Sequence, residues 1–217
     1  MIALLSINVA QLEQIGTRRG NPVLSGIRKR PLGAGAVELT RDGIVGDHQA
    51  DLRLHGGPNK AVYVYSSDHY PWWTEQLSAS VPYGPGAFGE NLTVSGVEET
   101  GVHLGDIWQW GTAMLQICQP RYPCFKLALA TERPQMVQRF LASGRSGWYL
   151  RLLEPGIAGL HEPIVLHEPD PDRITVRELA LAAGTGIEPE RQIEIAGHAG
   201  LAPAWAGMLR QNAIAKS

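Results

Sequence analysis

Cysteine is scarce. The 217 residues hold two, Cys118 and Cys124. They are too few for a disulfide framework and too close in sequence to staple much, so the expected compartment is a reducing cytoplasm. Long apolar runs are missing too. Met1 to Val9 is apolar but lacks the basic flank and length of a signal peptide, and it reads as a first buried strand. No other stretch reaches about 18 uninterrupted apolar residues, which excludes a spanning helix and predicts no membrane association. Neither charge dominates: 19 Lys and Arg face 21 Asp and Glu, for a net charge of −2 and a pI near 6.4. That balance argues against a nucleic-acid or polyanion binder and favours small-molecule work. Motif absences narrow the chemistry further. There is no C-x-x-C or H-E-x-x-H, and the seven histidines are dispersed, so no zinc site is indicated. Walker, G-x-G-x-x-G and G-x-S-x-G sequences are absent as well. Glu98 and Glu99 adjoin each other, so their side chains diverge and make a poor acid pair.

With 44% hydrophobic residues there is ample material for a core. To about residue 167 short runs rich in Val, Ile, Leu and Trp alternate with glycine, as in a closed or sandwiched β-structure. Ala61 to Tyr65 has period two. So does Ala113 to Cys118, which places Cys118 on a strand as an ordinary packing residue. Two helices are expected within this β material: Ser67 to about Ala79, and a second starting from Thr131 as N-cap, running through Phe140 and Leu141 and closed by Gly144. At Glu168-Pro169-Asp170-Pro171-Asp172 an acidic, proline-spaced linker appears, and the pattern becomes helical. The expected division is therefore a β domain over 1–168 and a small helical domain over 173–217. Its helices are Val176 to Gly184, Pro189 to Ala196 and one from Pro203, each too short to stand alone.

The most informative segment is Gln119-Pro120-Arg121-Tyr122-Pro123-Cys124-Phe125-Lys126-Leu127. Prolines fix its backbone, and Arg121 and Lys126 favour a thiolate on Cys124, making the sulfur a nucleophile or metal ligand. His55-Gly56-Gly57-Pro58 leads into a predicted strand, and Phe88-Gly89-Glu90-Asn91-Leu92 follows later. Paired glycines let a ligand approach the backbone and leave His55 and Asn91 to face a pocket. Asp47 and Asp106 each follow a glycine and read as turn residues.

Taken in order, Gly43-x-x-Gly46-Asp47, His55-Gly56-Gly57-Pro58, Phe88 to Leu92, Gly105-Asp106 and Pro120-Arg121-x-Pro123-Cys124-x-Lys126-Leu127 resemble the MOSC family, named for the C-terminal domain of molybdenum cofactor sulfurase. The helical tail matches the branch that ends in a small three-helix domain. The resemblance implies a mainly β fold with α elements: a MOSC-type β-barrel domain followed by that small helical domain. It implies a molybdenum cofactor, molybdenum on molybdopterin, with Cys124 as the protein ligand to the metal. Position by position, His55 and Asn91 would line the pocket beside the metal, and Arg121 and Lys29 would bind the pterin phosphate or substrate. Lys29 lies in Ser25-Gly26-Ile27-Arg28-Lys29, where Gly26 replaces the family's alanine, and Arg28 and Arg30 compete with it for the pocket. His55 is the expected proton donor and Glu90 an orienting residue.

The implied activity is an oxidoreductase reducing N-hydroxylated compounds such as N-hydroxylated purines. A separate flavoprotein reductase would supply the electrons, with no nucleic-acid partner and with room for a homodimer. The same cysteine also fits a sulfur carrier that holds a persulfide for cluster or cofactor sulfuration, or a carrier that stores the pterin.

Overall fold

A computed structural model of the chain describes residues 2–51, 56–184 and 186–216. Its first part runs β1 (Ala3–Val9), the hairpin β2 (Glu13–Arg18) and β3 (Asn21–Ser25), β4 (Arg30–Pro31), β5 (Ala36–Thr40) and β6 (Gly43–Ile44). Then come β7 (Val62–Ser66), α1 (Tyr70–Gln76), β8 (Leu92–Ser95), β9 (Ile107–Trp110), β10 (Ala113–Pro120), α2 (Phe125–Ala130) and α3 (Met136–Ser143). The last part is β11 (Trp148–Glu154), β12 (Gly156–Gly159), β13 (Ile164–Glu168), α4 (Val176–Gly184), α5 (Pro189–Ala196) and α6 (Pro203–Lys216).

Eight strands form one curled, half-barrel sheet in the order β13-β9-β10-β11-β7-β8-β1-β4, with only β7 and β8 parallel among its described pairs. A three-stranded sheet, β12-β5-β6, closes over its inner face. There Val37, Leu39, Ile44 and Ala158 pack with Trp108, Trp110 and Trp148. Strand β7 shows how the sequence builds both sides of the sheet. Val62 and Val64 point into that inner core, while Tyr63 and Tyr65 join Trp73, Phe88 and Phe140 under α1 and α3. Period-two alternation on a strand covered on both faces needs apolar residues at every position, and the whole of β7 is buried. Strand β10 alternates as expected: Ala113, Leu115 and Ile117 enter the inner core and Cys118 lies on the other side.

Three expectations need correction. Thr131 does not start a helix. A separate short helix, α2, begins directly after Cys124, and Thr131 ends it, its hydroxyl donating to Leu127 O at 2.7 Å. The next helix begins after Gln135 and stops at Gly144, whose φ of 62° is the left-handed conformation of a helix end. The first strand is only partly buried: a bulge between Leu4 and Ser6 leaves Leu5 49% exposed. The helix from Ser67 to about Ala79 is shorter than expected, a 3₁₀ turn over Ser67–His69 followed by α1, which stops at Gln76.

The acidic linker is held at several points. Asp170 N donates to Asp106 Oδ1 at 2.8 Å, and His198 Nε2 meets Asp170 Oδ1 at 3.2 Å. The helices behind it share a core of Leu179, Ile195, Leu201, Trp205 and Leu209, which Leu104 joins from the β side. Ala202 N also donates to Cys118 O at 3.0 Å, so the start of α6 is fastened to the strand that leads to Cys124.

Candidate active site

The chain leaves β10 through Pro120, Arg121, Tyr122 and Pro123, and this turn brings Cys124 to the wall of a cavity of about 550 Å³. Cys124 is half-buried there, whereas Cys118 is fully buried in the strand behind it. Cys118 donates from Sγ to Asn59 O at 3.3 Å, and burial pushes its thiol up to about 12. At pH 8 roughly one Cys118 in 10⁴ is a thiolate, and that sulfur is unreachable. Iodoacetamide at pH 8 is therefore expected to alkylate Cys124 in the native protein and leave Cys118 intact until the chain is denatured. Peptide mass mapping reads the outcome directly.

The cavity holds five cations, Arg18, Lys29, Lys60, Arg121 and Lys126, and no acidic residue among the described lining. In a chain of net charge −2 that is a strong local bias. Lys60 faces Cys124: burial pulls it below the ordinary lysine range, and its electrostatic attraction to Cys124 is the largest opposing influence. The turn carrying it is held in place, since Asn59 Oδ1 accepts from Arg151 Nη1 at 3.2 Å. Arg121 is buried. Its guanidinium lies 4.9 Å from the Tyr63 ring centroid, Nη1 donates to Phe88 O, and its pKa is raised above the ordinary value, neighbouring Tyr63 and Tyr149 outweighing the burial.

Lys29, not Arg28 or Arg30, faces the cavity, and Arg28 and Arg30 turn instead to Glu13. Lys29 is ion-paired with Asp47, the two side chains 6% and 3% exposed. Burial pulls Lys29 below the lysine range, and Asp47 draws it back. The turn reading of Asp47 therefore falls short. Besides Lys29, its Oδ1 accepts from Ala10 N at 2.9 Å and its Oδ2 from Asn91 Nδ2 at 2.8 Å. Asn91 completes the set: Nδ2 also reaches Asn8 O at 3.3 Å, and Oδ1 accepts from Tyr63 N at 3.1 Å. Asn91 lines the cavity with its polar atoms already engaged, so it holds the floor of the site together. Asp106 does behave as a turn and linker residue, through His103 N and Asp170 N.

Glu90 is fully buried and stands behind the cavity. Burial pushes it above the usual carboxylate range, opposed by hydrogen bonds from the Tyr70 hydroxyl and from Gly86 N and Phe88 N. It thereby shapes the loop whose Phe88 carbonyl receives Arg121. Gly89 in that loop has φ +80°, and a Cβ there would lie 2.8 Å from Ile27 Cγ1. Gly26 has its own reason: a Cβ would overlap the His48 carbonyl oxygen, so the alanine of the family pattern has no room here. His55 lies outside the described residues.

Residues that sequence reasoning missed come from far along the chain. Ala204, Trp205 and Met208 of α6 supply an apolar wall, and Trp205 meets the half-exposed Tyr122 edge to face at 6.3 Å. Arg18, at the hairpin tip, stacks 4.0 Å above the Phe125 ring. Gln49 Oε1 is buried in the lining without a hydrogen-bond partner. These features suit an anionic heterocycle carrying sulfur and phosphate. Cations would neutralise it, an unsatisfied amide oxygen would meet an N–H edge, and a thiol stands ready for a soft metal.

Asp170, Asp172 and His198 form the described cluster with metal-ligand spacing. His198 Nδ1 accepts from Gly200 N at 3.0 Å, so Nε2 carries the proton donated to Asp170 and offers no lone pair to a cation. That cluster is a junction between linker and helices.

Known proteins share this sequence and fold. The MOSC domain model matches residues 51–165. The YiiM protein of Escherichia coli is 33% identical over 183 residues, covering 83% of this chain and 81% of that one. A Gibberella moniliformis protein named "Reductase" is 38% identical over 124 residues, 56% of this chain but 22% of its own length. The crystal structure of YiiM from Geobacillus stearothermophilus superposes with a TM-score of 0.80 at 30% identity, covering 97% of this chain and 98% of that one. The chain belongs to the MOSC domain family, in the branch of the YiiM proteins.

Proposed function

We propose that the protein is a molybdenum-cofactor-dependent reductase of N-hydroxylated compounds, N-hydroxylated purines among them. The observation that carries the reading is a half-buried thiol, Cys124, in a cavity lined by five cations and no described acid. Family membership and the "Reductase" relative point the same way.

In this reading Cys124 Sγ would hold the metal, Arg18, Lys60, Lys126 and Arg121 would balance the cofactor's negative charge, and Lys29, already paired with Asp47, would hydrogen-bond to the cofactor. The bound cofactor supplies two-electron redox chemistry. The chain supplies the rest. Arg121, fixed by Phe88 O and the Tyr63 ring, keeps a permanent positive charge within electrostatic reach of Cys124. Asp47 and Asn91 hold Lys29 and the backbone of β7 in place, so the charges are arranged before anything binds. Trp205 and Met208 cover the apolar side and exclude water from it. His55 is assigned the proton for the leaving oxygen, since an imidazole near pH ~6.5 serves at neutrality. Overall the N–O bond breaks, two electrons and two protons are taken up, and amine and water leave.

A flavoprotein reductase is the proposed electron source and a reducing cytoplasm the proposed location. No helix among the described residues is long and apolar enough to cross a membrane. The division into 1–168 and 173–217 is kept as a proposal about folding units, while the cavity draws on both. The test is turnover: with molybdenum bound and reduced methyl viologen as donor, an N-hydroxylated purine or amidine is expected to yield the amine or amidine, two electrons consumed per product. Full loading with no product from either substrate would refute the reading.

A further inference from the structure

A cationic strip runs outward from the cavity. Between Gln14 and Val37 the chain carries five cations, Arg18, Arg19, Arg28, Lys29 and Arg30, and no acid. The strip is the β2–β3 hairpin and the segment after it. It borders the cavity at both ends, through Arg18 at the tip and through Ser25, Gly26, Ile27 and Lys29 at the base. It is also anchored: Leu129 of α2 packs against Gly16 of β2, 3.4 Å from where a Cβ would be.

The charge on this strip is left over. Lys29 is balanced by Asp47 inside the cavity. Arg28 and Arg30, with side chains 38% and 81% exposed, share the single Glu13 at 3.5 and 3.7 Å. Arg18 lies over the Phe125 ring at the cavity wall and belongs to that site, whereas Arg19 is exposed at the hairpin turn with φ +51° and pairs with no described acid. Interspersed with these cations are exposed leucines, Leu12, Leu24 and Leu32. Arginines with apolar anchors are the composition of a protein-binding face, and the field of unbalanced cations sets the sign of the partner. A small anion would need cations converging on a point, whereas these are spread along a hairpin.

We propose that this strip docks an acidic protein that delivers electrons to the Cys124 cavity. The inference rests on the reductase reading and adds the place and charge of the donor's contact. Charge complementarity of this kind acts chiefly on association rate and is weakened by salt.

The experiment uses the full-length, metal-loaded protein and the double variant Arg19→Glu/Arg30→Glu, whose positions lie outside the cavity lining. A reduced flavodoxin serves as acidic protein donor and reduced methyl viologen as small donor. The second-order rate with flavodoxin is expected to drop about tenfold or more in the variant at low salt, and to drop in the parent as salt rises to about 0.5 M. Viologen-driven turnover should stay within about twofold, as expected for surface changes remote from the site. Equal flavodoxin rates in both proteins at every salt concentration would overturn the proposal. If viologen gives no product either, the reductase reading has failed, and the docking face is judged by binding alone. Salt-sensitive binding of dye-labelled flavodoxin, lost in the variant, supports it; absence of such binding overturns it. Tighter binding of a labelled single-stranded oligonucleotide, released by the same reversals, would also overturn it by assigning the strip to nucleic acid.

Discussion

Cys124→Ser is expected to abolish molybdenum retention and turnover while the fold melts as before. Serine is nearly isosteric, and the backbone bond from Leu127 N to the residue-124 carbonyl survives the change. A protonated hydroxyl is a hard, poor ligand where a thiolate is a soft, good one. Removing groups that merely orient a metal ligand typically costs 10- to 100-fold, so loss of the ligand itself should exceed about a hundredfold. The matching change at Cys118 should spare both metal and activity, because that thiol faces Asn59 O and Tyr149 O inside the sheet. Metal analysis and steady-state rates on the two variants decide the matter. Full metal in the Cys124 variant, or its loss in the Cys118 variant, would move the site.

Asp47→Ala should be the most damaging change away from the sulfur. It strands a Lys29 ammonium that is 6% exposed and removes the acceptor for Ala10 N and Asn91 Nδ2. Breaking a buried pair from one side typically costs about 3–5 kcal/mol. Burial already pulls Lys29 below the lysine range; without Asp47 the largest opposing influence is gone, so Lys29 should shed its proton closer to neutrality. The resulting stability loss is then greatest at low pH, where Lys29 must stay charged, and smaller as pH rises through its lowered pKa. Denaturant melts across pH, with Lys29→Met and Asp47→Ala/Lys29→Met completing the four corners of a cycle, test this. The double variant should regain most of the loss. A single variant that melts within about 0.5 kcal/mol of the parent, the range of neutral surface changes, would show that the pair is not the keystone of the floor.

How far the sequence could be read follows from where each interaction is encoded. Strand and helix patterns are local, so β7, β10 and the three closing helices were visible in periodicity, capping proline and glycine. The Cys124 loop was visible too, because prolines and flanking cations lie within nine residues. Asp47 was not. Its partners Lys29 and Asn91 lie 18 and 44 residues away, and locally it is indistinguishable from a turn aspartate. The α6 wall needed the bond from Ala202 N to Cys118 O, which spans the chain and leaves no local trace. Thr131 misled because a threonine before a helix and one ending a helix look alike when Pro134 follows both readings. One further local signal lies in the run from Gln14 to Val37, which carries cations and no acid and marks one whole side of the cavity.

The most direct test of the central claim is the metal, pterin and sulfur content of the full chain purified from a host that makes the molybdenum cofactor. The account predicts molybdenum and pterin each equimolar with the chain, both lost in Cys124→Ser, and no cyanide-labile sulfur. A molybdenum-free protein carrying cyanide-labile sulfur on Cys124 would contradict it and assign the cysteine to sulfur transfer.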